Sequence, residues 1–217
     1  AVALLWTGMG RSGNWQRNWR LAAAGVITGL LAYTYISARF FPFLLLLWGA
    51  SFYLPGVEGG RPDLRVYARR LALYGGVSLV VALPMLVYFV QHPADFSGRS
   101  SEVWLFNSQL YDGNALSTLA RNIWLQVSVL GFAGDPSWRS NYAELPLLHP
   151  LEAIFFWAGV GALLYHWRQA HSRLLLLWLG VFLGPAVLSY DLPRNTFRML
   201  AMAPAIYLTL AYGFWTA

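Results

Sequence analysis

Residues 71–91 read LALYGGVSLVVALPMLVYFVQ, a run of 21 residues without one charged side chain. Wound as a helix, such a run matches the hydrocarbon thickness of a bilayer, for which about 20 residues suffice. Further apolar runs occupy residues 21–38, 40–54, 151–167, 174–190 and 199–217, with arginines at their borders. That is the pattern of helices that cross a membrane. Composition agrees, since 58% of the 217 residues are hydrophobic and only 11% are charged. A soluble domain of this length needs more charge to keep its surface in water. The sequence therefore predicts an all-α integral membrane protein with about six transmembrane helices, several of them short for an upright crossing. Pro84 is a candidate kink within the 71–91 span. Both ends of the sequence fall near or inside apolar runs, which we read as the mark of part of a larger membrane protein.

One stretch breaks the apolar pattern. HPADFSGRSSEVWLFN opens a polar excursion over residues 92–150, far longer than a chain needs to turn round. The expected organisation is thus transmembrane segments with cytoplasmic connectors over 1–91, an outer loop over 92–150, and transmembrane helices over 151–217. Arginine counts set the orientation. Nine lie on the side of residues 10–20 and six on the other, with most of the excess in short loops, where the positive-inside rule applies. Seven of the nine acids fall on the outer side, although acids steer topology little. Within the excursion, Leu116, Leu119, Ile123, Trp124, Val127 and Leu130 recur at helical spacing. They predict a helix lying on the membrane surface rather than crossing it. The following AGDPSWRSN reads as a turn, with Asp135 and Arg139 placed to form a local pair.

Several function classes are disfavoured. The formal charge of +6 carries no basic stripe or base-stacking motif, so nucleic acid is not an expected partner. Without cysteine there is no disulfide framework and no thiolate metal site. Fingerprints for nucleotide loops, zinc proteases and serine hydrolases are absent from the sequence. No acid stands in mid-span, as an ion-coupled transporter would require. No cofactor is evident, and a divalent metal requirement is left open.

The candidate site residues cluster at the expected outer face. In YTYISARFFP, Tyr35 and Arg39 stand at i and i+4, one face of a helix. Arg39 is placed to meet a lipid-linked phosphate, or to snorkel as an anchor beside an aromatic belt. In DLPRNTFRM, Arg194 and Arg198 share the same spacing on a helix expected to begin at Pro193. Two guanidinium forks at a helix start suit a phosphate or pyrophosphate, unless Asp191 neutralises Arg194 and lipid takes Arg198. Asp95 and Glu102 are candidate substrate-loop carboxylates by location, and Asp135 and Arg139 are further candidate residues of the same loop. His92 and His149 flank the loop, each directly before a proline.

Taken in order, GVITGLLAYTYISARFFPFLLLL, HPADFSGRSSEVWLFN, GDPSWRSNYAELPLLHPLEA and the long stretch through YDLPRNTFRMLAMAPAIYLTLAYG resemble one family. They are similar to the later part of bacterial polyprenyl-phosphate-sugar-dependent glycosyltransferases of the membrane-embedded GT-C type, relatives of protein O-mannosyltransferases and aminoarabinose transferases. The resemblance implies a multi-pass protein of the bacterial plasma membrane that passes a sugar from a polyprenyl-phosphate donor to an acceptor at the outer face. It implies that Arg39, Arg194 and Arg198 face the donor phosphate, and that the 92–150 loop, with Tyr35, His92, Asp95, Glu102, Asp135 and Arg139, covers the substrates. The family's catalytic acids lie in its first outer loop, and no such loop precedes residue 21. The catalytic residues are therefore expected upstream, and this portion alone is expected to be inactive. The rival expectation is a non-catalytic, multi-span subunit packed beside other membrane subunits, with lipid as its other partner.

Overall fold

A computed structural model describes residues 14–34, 36–58, 63–95, 104–106, 113–138, 142, 144–189, 194 and 196–217. Among them the chain is helical, with no strand beyond an isolated antiparallel bridge between Trp104 and Ser189. The backbone divides into two compact units. The first comprises residues 1–42 and 60–96, and the second residues 43–59 and 97–217.

In the first unit, α1 (Asn14–Leu31) packs along α3 (Leu64–Gln91). The intervening α2 (Phe41–Ala50) belongs almost wholly to the second unit. Close approach of α1 and α3 depends on two glycines one turn apart. A Cβ at Gly25 would sit 2.7 Å from the Tyr74 carbonyl oxygen, and one at Gly29 2.6 Å from Val81 Cβ. This is the small-residue spacing that lets helix backbones meet where lipid supplies no hydrophobic drive. Polar side chains then bridge the seam. Tyr74 Oη donates to Thr28 Oγ1 at 2.9 Å, Ser78 Oγ to the Gly25 carbonyl at 3.0 Å, and Tyr33 Oη to the Val81 carbonyl at 2.9 Å.

Helix α1 ends earlier than the apolar run suggests. Its last turn tightens through Ala32, Tyr33 and Thr34 amides that donate three residues back, and Thr34 Oγ1 takes the Leu31 carbonyl. Residues 36–40 form a separate 3-10 turn, so the expected crossing over 21–38 is interrupted. Helix α3, by contrast, begins earlier. Asp63 accepts the Arg65 amide as N-cap, and the arginines at 65, 69 and 70 ride on the helix rather than in a connector. Its 28 residues continue through Pro84, for a length of about 42 Å. Only 11% of its most apolar stretch is buried within the chain.

The second unit contains α2, α4 (Ala115–Ser128), α5 (Pro150–Tyr165), α6 (Ala170–Val187) and α7 (Ala203–Thr216), the last continuing a 3-10 turn over Thr196–Met202. Helices α5 and α7 cross at Gly159 and Gly213, where an added Cβ would strike the Thr209 and Phe155 carbonyl oxygens respectively. Helix α6 buries Phe182 and Ala186, and the 3-10 turn buries Met199 and Met202. Trp178 Nε1 joins the two by donating to the Ala201 carbonyl at 2.9 Å. At the start of α6, Arg173 is almost wholly buried, donating to Ser51 Oγ and the Arg168 carbonyl with its guanidinium over Phe52.

Three described segments are long and apolar enough to cross a membrane: Leu64–Gln91, Ala170–Val187 and Thr196–Thr216. Phe41–Tyr53 and Pro150–Tyr165 are apolar but shorter. The chain thus has the helical build of a membrane protein, with three segments of crossing length where the sequence predicts about six spans. Turns at residues 32–34 and 36–40 cut short the expected 21–38 span. Replacing Gly29 with Val should destabilise the α1–α3 pair by about 1–3 kcal/mol, since backbone on α3 must shift. Gly76→Ala, with open space around it, should instead be neutral or stabilise by up to about 1 kcal/mol. Thermal unfolding in detergent distinguishes the two, and equal effects would refute the close approach.

Candidate functional site

The excursion folds onto the end of α6. Gly113, at φ +82°, precedes Asn114, whose Oδ1 accepts the Leu116 and Ser117 amides and so starts α4. Thr118, Asn122 and Gln126 then recur every four residues along one face, and all three are buried. Asn122 Nδ2 donates to the Val187 carbonyl at 2.6 Å and the Ser189 carbonyl at 3.0 Å. Those carbonyls lie where α6 ends, and a helix end leaves such groups without partners of its own. From the other side Leu105 N donates to the Leu188 carbonyl at 3.0 Å, beside the Trp104–Ser189 bridge. Beyond α4 the chain doubles back, Leu147 N donating to Val129 O, Gly134 N to Glu144 O and Glu144 N to Asp135 O.

This folding positions one of the predicted arginines directly. Arg194 Nε donates to Ser128 Oγ at 3.2 Å, and Ser128 Oγ donates in turn to the Leu125 carbonyl at 2.7 Å. Two residues on, Thr196 begins the 3-10 turn that carries Arg198. Its amide and hydroxyl both donate to Asp135 Oδ2 at 3.1 Å, while Asp135 Oδ1 accepts the Ser137 amide at 2.8 Å. Arg194 and Arg198 are both half-buried. They do not share an α-helical face, because Arg194 precedes the turn and the turn itself is 3-10. Pro193 and Asp191 lie outside the described residues.

Asp135 is 0% exposed, and its carboxylate accepts from the Ser137 amide and from the amide and hydroxyl of Thr196. Arg139, its expected partner, is outside the described residues, as are Tyr35 and Glu102. In the first unit, Arg39 sits at the end of its 3-10 turn, donating through Nε to the Ala32 carbonyl at 3.3 Å, its guanidinium 4.8 Å from the Phe89 ring centroid. Partial burial lowers its pKa from the ordinary value, yet a guanidinium keeps its charge. His92 and Asp95 meet on Tyr88 at the end of α3. The imidazole stacks on the Tyr88 ring at 4.5 Å, and Tyr88 Oη donates to Asp95 Oδ2 at 2.6 Å. All three are exposed. His149 precedes α5, where Glu152 accepts its backbone amide at 2.8 Å. No group of three or more His, Asp or Glu among the described residues gathers to hold a metal ion.

Sequence reasoning missed Ser128, Asn122, Thr196 and Tyr88. The stripe of Thr118, Asn122 and Gln126 was a readable signal for the buried face of α4. Pairing Ser128 with Arg194 across 66 positions had no local signal. No family model, curated protein or solved structure matches the chain.

The two acids that look equivalent in the sequence should behave differently. Asp135→Ala strips two bonds from Thr196 and should cost about 2–3 kcal/mol. Asp95→Ala, at an exposed site, should cost no more than about 0.5 kcal/mol. Unfolding midpoints with limited proteolysis of the loop will report both.

Proposed function

We propose that this chain is part of a multi-pass glycosyltransferase of the bacterial plasma membrane. It takes a sugar from a polyprenyl-phosphate donor and passes it to an acceptor hydroxyl at the outer face. The observation that carries this reading is the pair Arg194 and Arg198. Both stand half-buried at the entry to an apolar segment of crossing length, one of them held by the folded excursion. Guanidinium forks bind phosphate oxygens in charge-assisted pairs, and a poorly solvated setting strengthens that attraction. In an inverting transfer the acceptor oxygen bonds to the anomeric carbon as the carbon–oxygen bond to phosphate breaks. The departing polyprenyl phosphate gains negative charge, which fixed guanidiniums stabilise. For Arg39, set over Phe89 in the first unit, a role at a lipid-linked phosphate rests on the resemblance alone. The acid or base that moves the acceptor's proton is assigned upstream, in line with the resemblance.

A second reading draws support from α3. So large an apolar surface left uncovered within the chain also suits a structural subunit whose helices pack on neighbours. The Arg194→Ala, Arg198→Ala double variant separates the readings. In membranes from cells expressing the intact gene product, it should lose at least about a hundred-fold in sugar transfer from a polyprenyl-phosphate donor, as expected for two charge-assisted contacts. Purified wild type should bind farnesyl phosphate and not farnesol, and the variant neither. Transfer undiminished in the variant would return both arginines to lipid anchoring. No transfer and no phosphate-dependent binding by wild type would favour the subunit.

A further inference from the structure

Helix α4 has its polarity reversed. A surface helix in water buries its apolar stripe and exposes polar side chains. Here the buried stripe is Thr118, Asn122 and Gln126, whereas Leu116, Ile123 and Trp124 are 76%, 42% and 61% exposed. Helical periodicity explains the division, since positions 116, 120, 123 and 127 recur opposite the stripe. The two faces are not free to exchange places, because Asn122 is bonded to two carbonyls at the end of α6.

The outward face also continues beyond α4. The Trp124 ring lies 6.1 Å from Phe132, which lies 6.2 Å from Trp157 on α5. This aromatic run carries the apolar surface onto α5, where Leu151 and Ile154 are likewise exposed. Helix α5 packs in turn on α7, part of a segment of crossing length. A surface continuous with such a segment shares its solvent. Arg121, the sole charged residue in the α4 sequence, is exposed on the flank. One arginine beside an apolar, Trp-bearing face is compatible with lipid phosphates above acyl chains.

We infer that the outward face of α4 is a lipid-contact surface, seated in one leaflet at the boundary between headgroups and acyl chains. Its polar stripe grips the end of α6 while its apolar face rests in lipid. The leaflet thereby sets the depth of Ser128 and of the Arg194 bonded to it. The inference is independent of any enzymatic activity.

Because the sequence contains no cysteine, Leu116→Cys and Ile123→Cys each provide a single labelling site on the outward face. Each is labelled with an environment-sensitive NBD fluorophore, and the protein is reconstituted in phosphatidylcholine vesicles. Nitroxide-bearing lipid should remove most of the emission at both positions, with aqueous iodide removing little. Quenching by iodide and not by nitroxide lipid would place the face in water and overturn the inference. Protection from both quenchers would show a protein covering it, which overturns the inference equally.

Discussion

A helix end leaves its last carbonyls without partners of their own, and where water is scarce other parts of the chain must supply them. For α6 those partners come from sequence far away. Asn122 bonds the Val187 and Ser189 carbonyls, and the Leu105 amide bonds Leu188. Three consecutive carbonyls, of residues 187, 188 and 189, are thus paired by the excursion. The contact to Arg194 follows from that closure. With Asn122 fixed, α4 is fixed, and with it Ser128 and the Nε of Arg194.

Elsewhere, small residues do the joining. Gly25 with Gly29, and Gly159 with Gly213, bring helix backbones together so closely that no side chain fits between. Dispersion and short polar bridges then supply attraction that burial from lipid cannot. Thr28, Ser78 and Tyr33 provide those bridges in the first unit. The apolar side chains of α3 point largely outward, as expected where the surrounding solvent is itself apolar.

The helical, membrane-type build was legible because uncharged runs leave little else to form. Residues 71–91 needed only length and composition. Helix ends were less legible, since they depend on single hydrogen bonds. Thr34 on the Leu31 carbonyl ends α1, and Asp63 on the Arg65 amide starts α3 seven residues before the apolar run. The candidate site was partly legible. Arg194 and Arg198 stood out by spacing, yet that spacing presumed an α-helix where a 3-10 turn forms. Asp135 looked like a loop carboxylate, because nothing nearby in sequence reveals that Thr196, 61 positions away, donates to it twice.

The length of the excursion has a physical account in these contacts. A turn between two spans needs only a few residues, but it would leave the end of α6 without its carbonyl partners and Thr196 without its carboxylate. Supplying both requires a helix with a polar inner stripe and a returning segment with a buried acid. A helix whose inner stripe is spent on hydrogen bonds has only its outer face for apolar side chains. In water that arrangement would cost free energy at every exposed leucine and tryptophan. Against lipid, the setting inferred above, it would stabilise, and one amphipathic sequence would then serve the end of α6 on one side and the bilayer on the other. Arg194 lies at the meeting of these two requirements, bonded to the last residue of α4 and two residues before the turn that Asp135 holds.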